Sequence, residues 1–310
     1  MKSRIEGVIA ALLLPRDEAG LPDWQGFERN ARFVKEAGAA GFCVNGATGE
    51  YVSATRDEQR GVVERARSEA GESLLVVSGI GAARWSEIAA NARAAKQAGA
   101  DAVLAPAPHF FKYSPDDLAE YYRAIANESD LPVLIYNLPA FTGGLAPELA
   151  EQLISGGENI AGVKDSSGQL ELLARLTRAG GGAVRLMGND SALAEALRRG
   201  FCDGAISGVA GVLPELTLSI WKSAPGGELF ETLSARLDEF IQQLDVFPTP
   251  WGLKLIAGWR GIAPASFALP LSQLRRQQAA DFQGWLRQWW GRTVPDLTQV
   301  LGIEPTFQVE

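Results

Sequence analysis

Eight short apolar runs, each closed by Gly, Pro or a polar turn and each followed by an amphipathic stretch, recur at intervals of about 20–30 residues. They are Val8–Leu14, Gly41–Asn45, Leu74–Gly79, Ala102–Ala105, Val133–Asn137, Ile160–Lys164, Val184–Gly188 and Gly204–Ser207. The intervening helical patterns are Trp24–Ala37, Thr55–Ala70, Glu87–Ala98, Pro115–Ala126, Pro147–Ile154, Leu170–Arg178, Ala192–Arg199 and Pro214–Lys222. Strand-then-helix repetition forces a parallel sheet, because consecutive parallel strands need a crossover. Eight such units predict a closed (β/α)8 TIM barrel; a doubly wound open sheet has the same period and is the competitor. Thr55-Arg56-Asp57-Glu58 has capping-box spacing, and Ser114-Pro115-Asp116-Asp117 joins a cap residue to a first-turn proline and early acids.

Beyond Ala224 the pattern turns helical, over Glu228–Leu244, Trp251–Trp259 and Leu271–Trp290. The expected division is therefore 1–224, a barrel carrying the active site, and 225–310, a C-terminal helical subdomain and tail. Trp285, Trp289 and Trp290 have helical spacing and are expected to pack. The tail Thr293–Glu310 has little periodicity and is expected to lie extended on the surface.

A formal charge of −8 with arginines scattered along the chain gives no basic stripe for a nucleic-acid backbone. The apolar N-terminal run is interrupted by Glu6 and stops at Pro15, so it reads as a first strand. No run reaches the ~20 apolar residues of a membrane span, and no membrane partner is expected. Cys43 and Cys202, both assigned to buried strands, indicate neither a disulfide framework nor a metal cluster. A cytoplasmic location is expected, with no metal and no organic cofactor. The single histidine, His109, removes mechanisms built on several histidines, so proton transfer rests on Tyr, Lys, carboxylates or water.

In an eight-fold barrel the residues ending each strand converge. Lys164 closes the run from Asn159 to Val163. Burial disfavours its ammonium, so its pKa is expected to fall and the amine to become a nucleophile able to form a Schiff base with a ketone; a lysine snorkelling to solvent is the alternative. Gly46-Ala47-Thr48-Gly49-Glu50 sets two glycines around a hydroxyl, so that backbone N–H groups and the Thr48 hydroxyl can face one anion, although such turns are often only structural. Glu50 is expected at the start of the next turn, bonded to backbone. Tyr136 ends its run with a phenol able to donate and accept a proton, or to fill the top core layer. Strand six further delivers Asp165, Ser166 and Ser167, and strand seven Gly188-Asn189-Asp190.

Three motifs, Gly46 to Glu50, Tyr136-Asn137-Leu138-Pro139 with Thr142-Gly143, and Gly162-Val163-Lys164-Asp165-Ser166-Ser167-Gly168, make the chain resemble the dihydrodipicolinate synthase/N-acetylneuraminate lyase family of class I Schiff-base pyruvate aldolases. The likeness runs from about Ile5 to Arg260 and takes in Gly204 to Gly208 and Pro248-Thr249-Pro250-Trp251. It implies Lys164 as the Schiff-base lysine and Tyr136 as the general acid/base. It implies that Thr48 and the amides of Ala47 and Thr48 bind the pyruvate carboxylate, with Ser166 and the Ile206 carbonyl near the substrate. It also implies a small 2-oxo acid as substrate and a homotetramer built from dimers.

The departures narrow the activity. Ala47 stands where the synthase has the first of two threonines, and Phe110 aligns with the relay tyrosine offered by a neighbouring subunit. Proton delivery would then run through water, the substrate carboxylate or His109. Phe141 aligns with the arginine that binds the carboxylate of aspartate semialdehyde, and a phenyl ring makes no ion pair. Ser191 and Gly208 stand at two sugar-binding positions of sialic-acid lyase. What the resemblance then implies is aldol cleavage or condensation of a 2-keto-3-deoxy sugar acid or 4-hydroxy-2-oxoacid. Dehydration of such sugar acids, 4-hydroxy-tetrahydrodipicolinate synthesis and a catalytically weak pyruvate-binding regulatory protein are the alternatives. Phe110, Phe111 and Phe141 predict a less polar acceptor pocket than a sugar-specific enzyme carries.

Overall fold

A computed structural model describes residues 5–307. Eight strands appear, β1 (Gly7–Ala11), β2 (Gly41–Val44), β3 (Leu75–Gly79), β4 (Ala102–Pro106), β5 (Val133–Asn137), β6 (Ile160–Asp165), β7 (Val184–Met187) and β8 (Gly204–Ser207). All neighbours pair in parallel and β8 returns to β1, so the sheet is a closed barrel and the open-sheet competitor is excluded. The crossover helices are α1 (Trp24–Glu36), α2 (Arg56–Ala70), α3 (Trp85–Gln97), α4 (Pro115–Glu128), α5 (Pro147–Ser155), α6 (Glu171–Ala179), α7 (Leu193–Arg198) and α8 (Pro214–Lys222). Both expected capping boxes form, Thr55 with Glu58 and Ser114 with Asp117.

Alternation along each strand sorts the side chains. Ile9, Cys43, Val77, Leu104, Leu134, Leu186 and Ile206 fill the barrel interior, while Val8, Phe42, Val76, Val103, Ile135 and Val163 face the helices. Tyr136 of β5 and Lys164 of β6 are register partners, so the phenol and the amine leave adjacent strands at the same height, on the carboxyl-end face.

The chain continues as α9 (Glu228–Leu244), α10 (Trp251–Trp259) and α11 (Gln273–Leu301). These helices share a second core with Leu13, Val212, Leu213 and Leu216 from the barrel, centred on Phe240, Phe282, Leu286 and Trp289. Trp289 and Trp290 are buried, as their spacing predicts.

Two expectations fail here. Residues 293–301 are not extended: α11 continues through Pro295 to Leu301 and ends at Gly302 in the left-handed conformation, while residues 304–307 have no regular structure and 308–310 lie outside the described residues. Proline inside a helix costs about 3 kcal/mol. Leu297 is fully buried, Val294 and Leu301 pack beside it, and the Thr293 hydroxyl donates to the Trp289 carbonyl at 2.8 Å. That burial, at about 1.5–3 kcal/mol per large apolar side chain, offsets the proline. Cys202 sits in the turn before β8, half-buried, and not within a strand. No helix among the described residues is long and apolar enough to cross a membrane.

Candidate active site

Lys164 is buried, and its Nζ donates to the Tyr136 Oη at 3.0 Å while lying 4.2 Å from the centre of the same ring. Both open onto a cavity of about 340 Å³ at the carboxyl ends of the strands. Ala47, Thr48, Ser166 and Ile206 line it with them, and Phe141, itself 56% exposed, stands at its rim. The turn after β2 brings Thr48 opposite Gly208: a Cβ built on that glycine would lie 3.5 Å from Thr48 Oγ1. Among the described residues the amides of Ala47 and Thr48 donate to no protein acceptor, which leaves them free for an anion. The Ser166 hydroxyl is buried without a hydrogen-bond partner.

Burial presses the Lys164 ammonium toward its neutral form, as expected, but it does not prevail. Tyr136, Cys43 beneath it in the barrel and Asp190 all favour the cation, and the net shift is upward from the ordinary lysine value. The expected fall in pKa is therefore corrected to a rise, with the amine hydrogen-bonded to the phenol. Asp190, half-buried, is pushed up by desolvation, against the Ser207 hydroxyl, the Val209 amide and the Lys164 charge.

Phe110 does not join the cavity. The loop after β4 turns outward, leaving its ring 90% exposed in a left-handed backbone conformation, with Phe111 edge-on at 4.9 Å. His109 lines a separate cleft of about 550 Å³ beside Tyr51, Asp57 and Glu87. Within a single chain the acceptor side of the cavity carries more polar groups than expected. Phe141 is the only one of the three phenylalanines at the cavity, and Asn189, Asp190, Ser191, Asp245 and Thr249 face it with polar groups. Glu50 is corrected as well, because its carboxylate takes an ion pair from Lys254 of α10.

Three features escape the site residues expected from sequence. Gly188 lets the lysine pass: a Cβ there would fall 2.7 Å from Lys164 Cε and 2.2 Å from Ser166 Oγ. Its place at the end of an apolar run was the available signal. Asp190 follows from the same strand end. Ile241, Leu244, Asp245 and Leu253 wall the cavity from the C-terminal helices, and only the Pro248–Trp251 motif hinted at that region. Among the described residues no group of three or more His, Cys, Asp or Glu side chains converges as a metal site would require.

Known proteins are similar to this chain in sequence and fold. A 4-hydroxy-tetrahydrodipicolinate synthase of Methanospirillum hungatei is 32% identical over 281 residues, spanning 88% of this chain and 95% of the relative. A protein of Halobacterium salinarum named as an uncharacterised DapA-like lyase is 30% identical, over 87% of this chain and 89% of its own. The crystal structure of a chloride-inhibited dihydrodipicolinate synthase from Acinetobacter baumannii, complexed with pyruvate, superposes with a TM-score of 0.85 at 27% identity, covering 92% of this chain and 99% of that one. The model of the dihydrodipicolinate synthetase family matches residues 4–288. With a buried lysine at the sixth strand end and a match across most of its length, the chain belongs to the dihydrodipicolinate synthetase family and is a class I aldolase-type lyase.

Proposed function

We propose that this chain cleaves, or in reverse forms, the C3–C4 bond of a 2-keto-3-deoxy sugar acid or related 4-hydroxy-2-oxoacid through a Schiff base on Lys164. The observation that carries the reading is the 3.0 Å contact of Lys164 Nζ with Tyr136 Oη in a cavity also lined by Thr48. The deprotonated amine attacks the C2 carbonyl, and loss of water from the carbinolamine gives an iminium. Tyr136 passes the protons of both steps. Removal of the C4 hydroxyl proton then breaks the C3–C4 bond. Its electron pair moves into the iminium to leave an enamine and an aldehyde. Protonation at C3 and hydrolysis release pyruvate and the free lysine.

Thr48 with the Ala47 and Thr48 amides holds the C1 carboxylate. Lys164 is the sole cation lining the cavity among the described residues, so the distal end of the substrate carries no second carboxylate needing a partner. Hydroxyls there meet Asn189, Ser191, Asp245 and Thr249 instead. This disfavours the 4-hydroxy-tetrahydrodipicolinate synthesis that the name of the M. hungatei relative describes. Dehydration of the same acids is the second reading, favoured by Ala47, which removes a hydroxyl from the carboxylate turn.

Borohydride reduction with pyruvate should add one pyruvate-derived mass to the Lys164 peptide and nothing to Lys164→Ala. Absence of the adduct, or its survival in the variant, rejects the mechanism. Assays of pyruvate release and of water loss on one substrate panel divide cleavage from dehydration. The resemblance also supports a homotetramer, with the exposed Phe110, Phe111 and Tyr113 as apolar contact surface. Light scattering that returns a monomer rejects that assembly.

A further inference from the structure

The cavity rim at Leu138, Ala140 and Phe141 belongs to the loop joining β5 to α5, and this loop has little beneath it. A second cleft of about 380 Å³, lined by Asn137, Gly144, Asp165 and Ser167 among others, runs behind it. Between the buried anchors Leu138 and Leu145, its shape therefore depends on hydrogen bonds more than on packing. Five are local or nearly so. The Phe141 and Thr142 amides both donate to the Leu138 carbonyl at 3.0 Å. The Thr142 hydroxyl donates to the Leu138 carbonyl at 3.1 Å, the Gly144 amide donates to Thr142 Oγ1 at 3.3 Å, and the Leu145 amide donates to Asn137 Oδ1 at 3.0 Å.

A sixth leaves the loop. Asn137 Nδ2 donates to Asp165 Oδ1 at 2.9 Å, and the same oxygen accepts the Ser167 amide at 3.0 Å. Asp165 is buried and next in chain to Lys164, and its backbone carbonyl accepts the Gly188 amide at 2.7 Å. The Ser166 amide in turn donates to the Asn137 carbonyl at 2.8 Å. One carboxyl group thus ties the rim loop to the strand that carries the amine and to the turn that carries Ser166. Its other oxygen, Oδ2, is buried with no partner, and burial pushes the carboxyl above its ordinary pKa against the hydrogen bonds from Ser167 and Asn137.

We propose that Asn137 and Asp165 act together as positioning residues that set the acceptor side of the cavity, at Ala140 and Phe141, against the Lys164 amine. Neither side chain lines the catalytic cavity, and neither moves a proton. Their loss leaves pyruvate capture intact while spoiling the placement of the aldehyde half. The inference rests on the Schiff-base reading above, and the two fail separately. If the wild-type chain traps no pyruvate, that reading fails before any variant is compared.

The test measures two quantities on the full chain: borohydride trapping of pyruvate on Lys164, and aldol turnover of pyruvate with glyceraldehyde. In Asn137→Ala and Asp165→Ala, trapping is expected within about twofold of wild type, while kcat/KM for the aldehyde falls on the order of 10²-fold, as misplacement of a reactant by about 1 Å does. Asp165→Asn, isosteric with a neutral acid, should recover most of the turnover. Thr142→Val loosens the same loop from its exposed side and should give a weaker split of the same kind, which serves if the buried variants fail to fold. Equal loss of trapping and turnover, unchanged turnover in Asn137→Ala and Thr142→Val, or a wild-type chain that captures pyruvate yet turns over no aldehyde, would each overturn the proposal.

Discussion

The Lys254 ammonium meets the Glu50 carboxylate across 204 positions of sequence, joining the turn that carries Thr48 to α10. Lys254 is 3% exposed and the Glu50 side chain 16%, so the ammonium has almost no water to fall back on and the carboxylate only a little. Glu50 itself adopts a left-handed backbone conformation, which turns its side chain toward α10 rather than along its own turn.

Removing one member of that pair strands the other. Lys254→Met is expected to cost about 3 kcal/mol, the lower end for breaking a buried pair, because Glu50 keeps some solvent. Glu50→Gln combined with Lys254→Met should recover part of it. Chemical denaturation of the two single variants and the double variant reads the coupling; strict additivity would mean the pair contributes nothing.

Gly188→Ala places a methyl group within 2.7 Å of Lys164 Cε and 2.2 Å of Ser166 Oγ, so the lysine side chain must swing away from Tyr136. The expected loss is on the order of 10²-fold in kcat, the effect of moving a reacting group by about 1 Å. Pyruvate trapping by Gly188→Ala at the wild-type rate would contradict the geometry.

Tyr136→Phe keeps the ring beside Lys164 and deletes the hydroxyl that accepts its hydrogen bond. Turnover should fall about 10²–10⁴-fold, the range for a positioned acid/base, with the folded state retained. Parallel measurement of kcat and melting temperature separates lost proton transfer from lost fold.

The pH dependence of capture follows from the direction of the Lys164 shift. With its pKa above the ordinary lysine value, the neutral amine fraction grows about tenfold per unit between about pH 6 and 9, and the rate of pyruvate trapping should climb with it. A plateau near neutrality would show instead that burial prevails over Tyr136, Cys43 and Asp190. The stability contribution has the matching sign: it is fully present below the unfolded lysine pKa and is lost as pH rises through the folded value.

Much of this is legible in the residue order. The eight strands are bounded by breakers and buried on both faces, so local pattern and tertiary need coincide, and Lys164, Tyr136 and Thr48 converge because a closed barrel leaves strand ends only one place to go. The direction of the loop that carries Phe110 is not legible, because alignment to a motif carries no information on where a loop turns. Pro295 hides the end of α11, since a breaker outweighs in sequence what Leu297 contributes only after docking. The polarity of the acceptor pocket was missed for a third reason. Asp245 and Thr249 reach the cavity through packing of α9 and the α9–α10 turn onto the barrel, a contact with no signature along the chain.

That last wall has a consequence for the order of synthesis. A ribosome delivers Lys164, Tyr136 and the turn carrying Thr48 by residue 208, yet the face made by Ile241, Leu244, Asp245, Thr249 and Leu253 is translated afterwards. A nascent chain that has closed its barrel still holds a half-built pocket, and Lys254 has not yet arrived to meet Glu50. Competence therefore comes late, when the helices that look like an appendage fold back over the mouth.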